Sequence, residues 1–115
     1  MRKTRRTSRV GENVRDALVE VFRHDLKDAR LLMTSITEVE VSPDLHLARV
    51  FLTGLNEDET KQIVGDLTAQ RGKIRHHLGQ RIRLRYTPEL EFRYDDTSVR
   101  AGRIEELLRD VKKDG

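Results

Sequence analysis

From Gln70 through Arg85 the chain carries six cations, Arg71, Lys73, Arg75, Arg81, Arg83 and Arg85, and no Asp or Glu. Cations gathered at this density suit one of two partners. They neutralise phosphates, with affinity that falls as salt rises, or they dock an acidic protein surface. Gly72 sits among them, and a helix N-terminus following a glycine can bring backbone N–H groups close to a phosphate. The first nine residues add Arg2, Lys3, Arg5, Arg6 and Arg9, again without an acid. Of these, Lys3, Arg5 and Arg6 are candidate contacts of a phosphate-binding tail. With both clusters set aside, 12 bases stand against 20 acids in the rest of the chain. A basic arm and a basic patch are thus attached to an acidic body, which points to a polyanionic partner. Two blander readings remain open. The arm could simply solubilise a terminus, and Arg83 and Arg85 could pair with Glu38 and Glu40 across a sheet.

Other chemistries find little support. His76 and His77 are adjacent and so point to different faces of a helix, while His24 and His46 lack a partner at ligand spacing. Asp95-Asp96 follows a strand and reads as a turn that caps a helix. No glycine-rich phosphate loop or nucleophile elbow is present. The chain has no Cys, which removes disulfides and thiolate sites and fits a reducing cytoplasm. The expectation is a protein that is not an enzyme and uses no metal or cofactor. With no Trp and 4% aromatic residues, it also lacks the aromatic supply of stacking-based single-strand binders. No run reaches the roughly 18 apolar residues that would span a membrane. Nor does an apolar segment of secretory type follow the basic start, so a cytoplasmic location is expected. Without an exposed apolar stripe, a monomer is expected.

These residues need elements to position them. A chain of 115 residues makes one domain, and with 36% hydrophobic residues its core must be aliphatic. Residues 1–8 read as a basic flexible arm, and 9–112 as a single domain. Val10, Val14, Ala17, Leu18, Val21 and Phe22 recur at helical spacing, with Ser8 as N-cap and an end near Leu26. In SITEVEV, Thr37, Val39 and Val41 share one face. In HLARVFLT, Ala48, Val50 and Leu52 do. Ser42-Pro43-Asp44-Leu45 joins the two as a hairpin, with Pro43 set for the second position of a type I turn. Asn56 and Glu59 open a second helix with Ile63 and Leu67 inward. The pattern resumes with Ile74 and Leu78, so two short helices are expected to meet at Gly72, the second closing near Gly79.

Alternation from Ile82 to Tyr94 predicts a strand, with Ile82, Leu84, Tyr86, Leu90 and Phe92 on one side. It would be an edge strand or bulged, because Pro88 cannot donate to a ladder. This places Arg81 in a turn, and Arg83 and Arg85 on the strand's open face. Val99, Ile104, Leu107, Leu108 and Val111 suggest a C-terminal helix. The predicted fold is α+β: helix, strand, strand, helix, kinked helix, strand, helix. A right-handed crossover makes a mixed three-stranded sheet covered by helices on one face. Kink, helix and strand would then present one basic surface.

The sequence resembles the bacterial ribosome-binding factor A family from about Arg9 to Leu108. The resemblance rests on KDARL (27–31), VEVSPDLHLARVFL (39–52), GKIRHHLGQRIRLRYTPELEFRYDDT (72–97) and RIEELL (103–108). It implies a type II KH-like fold whose interrupted helix replaces a GxxG loop with an Ala-x-Gly kink, here Gln70-Arg71-Gly72. It further implies a non-enzymatic factor that binds the free 30S subunit and 16S rRNA. Such a factor assists late maturation, including 5′-end processing, supports growth in the cold, and is released with the help of a GTPase. The rRNA-binding residues would be Arg71, Gly72, Lys73, Arg75, Arg81, Arg83 and Arg85. A KH-like module docking an acidic protein partner is the alternative. This chain departs from the family pattern at Gln70, where alanine is usual, and at Ala29, where Asp-Pro-Arg is usual.

Overall fold

The computed structural model describes residues 3–96. Helix α1 (Arg5–Glu20) starts at Thr4, whose hydroxyl accepts from the Thr7 N–H while the Thr7 hydroxyl accepts from the Thr4 N–H. This reciprocal cap satisfies two orphan donors and buries Thr7. Ser8 is therefore inside the helix and is not its cap, so residues 5–8 of the expected arm are helical. The reason is the Thr4-x-x-Thr7 pair, which caps from both sides where Ser8 could cap from only one. Val14, Leu18, Val21 and Phe22 are buried. A π-helical turn (Val21–Asp25) extends α1 to Leu26, close to the expected end.

After a short 3₁₀ helix (Ala29–Met33), strands β1 (Ser35–Val41) and β2 (Leu47–Thr53) pair antiparallel. The Leu45 N–H donates to the Ser42 carbonyl at 2.8 Å, closing the turn around Pro43. Leu45 adopts φ 64°, a left-handed conformation that costs a non-glycine residue about 1–2 kcal/mol. Its side chain packs against the core in return. A bulge between Ile36 and Glu38 corrects the expected faces of β1. Ile36 packs on the core with Val39 and Val41, while Thr37 is exposed and donates to Asp95 at 2.5 Å. The extra residue lets an otherwise out-of-phase isoleucine turn inward.

Helix α2 (Glu57–Ala69) is capped by the Asn56 side chain, which accepts from the Glu59 N–H at 2.9 Å. It breaks at Gln70 (φ −104°, ψ 11°), and α3 (Arg71–Arg81) follows directly. The break is thus at Gln70 and not at Gly72, which lies in the first turn of α3. Nor does α3 close at Gly79, because it runs to Arg81 and the Ile82 N–H caps the Leu78 carbonyl. The missing Cβ of Gly79 serves packing instead. A methyl there would stand 3.1 Å from the Thr87 hydroxyl.

Strand β3 is Glu89–Tyr94, parallel to β2, in the order β1-β2-β3. The strand expected from Ile82 is therefore shorter. Residues 82–88 are an unpaired return segment, bent at Ile82 and at Arg85–Tyr86, in which Ile82 and Leu84 pack on the core margin. Alternation of apolar residues does not itself make a ladder, which also needs donors, and Pro88 has none. The first ladder bond runs from the Glu89 N–H to the His46 carbonyl, at 2.8 Å. Val41, Ala48, Val50, Leu52, Leu90 and Phe92 form the core face against Val14, Leu18, Ile63, Leu67, Ile74 and Leu78. The expected C-terminal helix (Val99, Ile104, Leu107, Leu108, Val111) lies outside the described residues. Among those described, no helix is long and apolar enough to cross a membrane.

Helix α1 meets β1 through Gly11, where a Cβ would come within 2.6 Å of the Val39 carbonyl oxygen. Gly11→Ala is expected to destabilise the protein by about 1–3 kcal/mol, as overpacking does. Gly65→Ala, whose methyl meets nothing within 4 Å, should stabilise it by about 0.5–1 kcal/mol. Urea unfolding of both variants checks the pair, and equal effects would refute the close approach.

Candidate nucleic-acid interface

Ile74 and Leu78 hold the inner face of α3, so its cations distribute over two flanks. On one flank Gly72, Arg75 and Gly79 line a shallow groove of about 570 Å³, whose other wall is Arg85, Tyr86 and Thr87. Arg75 spans the groove floor. Its Nε and Nη2 both donate to the Thr87 carbonyl, at 3.0 and 2.8 Å, and its guanidinium lies 5.1 Å from the centre of the Tyr86 ring. On the other flank, Lys73 borders a separate hollow with Lys27 and Asp28. Arg81 turns toward the end of α1, where Nε and Nη2 each bond Asp25 at 2.8 Å. Arg83 faces Asp16 and Glu20 of α1. Arg71 is exposed and donates to the Thr68 carbonyl at 3.1 Å. The single basic surface expected from the sequence is therefore divided. The groove keeps Gly72, Arg75 and Arg85 together, and Lys73, Arg81 and Arg83 lie elsewhere.

Their electrostatic states differ as well. The hydrogen-bonded Arg81 guanidinium holds the Asp25 carboxyl below the usual carboxylate range, against the opposing pull of burial, and Asp25 raises Arg81 in turn. Arg81's charge is thus matched within the chain. Arg75 bonds a neutral carbonyl, which orders the group but leaves its charge uncompensated. Among the described residues, Lys73, Arg83 and Arg85 form no ion pair, and no acid lines the groove. Arg83 and Arg85 do not reach Glu38 and Glu40, because residues 82–88 lie outside the sheet. Glu38 instead accepts from Lys3, and the open sheet face carries Arg49–Glu91 at 3.2 Å and Arg93–Glu91 at 2.6 Å. Lys3 is therefore held at the β1 edge, away from the groove beside β3. Arg5 and Arg6 are exposed in the first turn of α1. There the helix dipole disfavours cations, and no acid offsets them.

Sequence reasoning missed Tyr86 and His46. The strand reading turned Tyr86 inward with Ile82 and Leu84, yet it is 41% exposed. Its ring centre lies 4.3 Å from that of His46, at 33°. The available signal was Pro88. A residue preceding a break in the ladder has no sheet face to assign it a side. Among the described residues no group of three acids or histidines could hold a metal ion.

A family model, ribosome-binding factor A, matches residues 6–108. The chain belongs to the ribosome-binding factor A family. Structures similar to this chain include the following three. The crystal structure of ribosome-binding factor A from Thermus thermophilus shares 25% identity and a TM-score of 0.67, over 76% of this chain and 94% of that one. The solution structure of a Thermotoga maritima protein, a putative ribosome binding factor A, shares 26%, with a TM-score of 0.66, over 81% and 90%. The Thermus thermophilus factor fitted into a cryo-EM map of a 30S complex shares 25% at 0.66, over 79% and 97%.

The two departures from the ribosome-binding factor A pattern have local explanations. Gln70 is exposed at the break and turns its amide back to the Asp66 carbonyl, at 3.4 Å, away from the contact between α2 and α3. At Ala29, ion pairing supplies the order that a proline would give. Asp28 accepts from the Arg30 backbone N–H at 3.0 Å and from the Arg30 guanidinium at 2.7 Å. Arg30 also reaches Asp66 of α2 at 2.9 Å.

The Asp25–Arg81 pair carries a pH signature. A carboxyl with a depressed folded-state pKa adds stability above its unfolded pKa, and that stability is lost as pH falls through the folded value. Arg81→Gln should therefore lower the melting temperature at neutral pH. The gap from the unsubstituted protein should close as pH drops below the carboxylate range. Thermal melts across pH test this, and a gap independent of pH would refute it.

Proposed function

We propose that this protein is a non-enzymatic assembly factor that binds the free 30S ribosomal subunit through 16S rRNA. The observation that carries the reading is the fold it shares, over 79% of its length, with the factor fitted into a 30S complex. The acid-free groove supports it independently, since a concentration of uncompensated cations beside a helix N-terminus suits phosphate. Arg71, Gly72, Lys73, Arg75, Arg83 and Arg85 are the proposed rRNA contacts, with Arg5 and Arg6 as secondary ones; Lys3, first expected with them, is engaged by Glu38. Arg81 is assigned instead to holding Asp25. Binding alone is sufficient for such a role. A ligand that prefers one rRNA conformation shifts the population toward it without any bond-making step. Assistance to late maturation and 5′-end processing, in the cytoplasm, as a monomer, and with a GTPase acting in release, completes the proposal.

Co-sedimentation across a salt series tests this. Binding to free small subunits and not to intact ribosomes, weakening as salt rises, is expected. Equal binding to both particles would reduce the reading to generic polyanion attraction. The double reversal Arg83→Glu/Arg85→Glu should flatten the log–log salt slope by roughly 0.9 for each phosphate no longer neutralised. Gly72 offers a sharper test, because a Cβ there meets nothing within 4 Å. Gly72→Ala should stabilise the free protein by about 1 kcal/mol while weakening subunit binding. Undiminished binding would mean that the backbone at Gly72 does not approach rRNA.

A further inference from the structure

The geometry points to Tyr86 as a stacking platform for an unpaired RNA base. Arg75 and Arg85 would supply the cations that receive the neighbouring phosphates. This inference rests on the RNA-binding reading and specifies the ligand more narrowly, as single-stranded RNA.

Phe22 and Phe92 are buried and Phe51 and Tyr94 are partly covered, but Tyr86 stands out at 41% exposure. Its ring is nonetheless held in place. The His46 ring lies 4.3 Å from it between centres, and the Arg75 guanidinium lies 5.1 Å away. Arg75 is itself fixed by its side chain, and His46 is anchored through its backbone. Two N–H groups of Arg75 bond the Thr87 carbonyl, which leaves three of its five donors for a ligand. His46 follows Leu45, the described non-glycine residue with positive φ, and its carbonyl accepts the first β3 ladder bond.

The ordering has an energetic consequence. A ring already immobilised loses little entropy when a base stacks on it, so more of the stacking energy appears as affinity. A partly exposed aromatic ring, an adjoining guanidinium and an acid-free groove suit one unpaired base and its phosphate, a smaller platform than the several aromatics of a dedicated single-strand binder. A duplex keeps its bases stacked on one another and offers such a face nothing to receive.

The test measures affinity of the full chain for a short single-stranded oligoribonucleotide and for a duplex of equal length, across salt. Tyr86→Leu should weaken single-strand binding by about 5- to 150-fold, leaving duplex binding and the salt slope unchanged. Tyr86→Phe, which keeps the ring, should restore it. Arg85→Gln should instead reduce the salt slope. Thermal melts of Tyr86→Leu confirm that the fold is retained. Unchanged single-strand binding by Tyr86→Leu would overturn the stacking role, while the subunit reading would stand if Arg83→Glu/Arg85→Glu still flattened the salt slope of binding to small subunits. Displacement of RNA by poly-glutamate, equally from the unsubstituted protein and from Tyr86→Leu, would overturn it in favour of an acidic peptide. Failure of the unsubstituted protein to bind RNA or small subunits at low salt would overturn both readings.

Discussion

The parallel pairing of β3 with β2 is the constraint on which the rest of this structure depends. A parallel pair cannot be closed by a hairpin and needs a crossover of about a dozen residues or more. Here the crossover is α2 and α3, whose buried Ile63, Leu67, Ile74 and Leu78 must all reach the same core. A single straight helix would carry its far end past the sheet. The break at Gln70 folds the crossover back, so that α3 ends beside α1 and the chain returns along α3 as residues 82–88. The groove is the seam between α3 and its own return segment. Gly79 sets its width and the Arg75–Thr87 bonds fasten it.

Charge placement follows from the same packing. Where two elements meet at the protein's margin, opposite charges pair, as at Asp25–Arg81 between α1 and α3 and at Arg30–Asp66 between the 3₁₀ helix and α2. Exposed pairs of this kind contribute modestly to stability. Their larger effect here is to remove certain cations from the set available to a partner. Arg81 is engaged by Asp25, while Arg75 is ordered by a neutral carbonyl and keeps its charge. Sequence counting cannot separate these two arginines, although they behave oppositely toward a phosphate.

The departures from the family pattern are accommodated in a related way. Gln70 is tolerated because the break exposes it, and Ala29 because Asp28 and Arg30 clasp across it. In both cases a side-chain interaction replaces a backbone preference. The helix break and the turn are therefore properties of the packed fold more than of any one residue. The strained Leu45 is the converse case, in which burial of the side chain offsets an unfavourable φ.

Helical and strand periodicity in the sequence determined the elements, the hairpin at Pro43 and the crossover, because these follow from local spacing and chain connectivity. The acid-free stretch determined that a concentration of positive charge exists, because net charge survives any folding. Tertiary structure alone decided the rest. It moved the start of α1 to Thr4, slipped β1 at Thr37, and began the paired part of the long alternating run only at Glu89, since alternation cannot distinguish a bent, unpaired segment from a paired strand. It also divided the six cations between the groove and other faces and brought Tyr86 out against His46, a residue far away in the chain. Which cation is neutralised, and which aromatic is exposed, depends on what lies opposite in space. That information is carried by packing between distant segments, and no local spacing encodes it.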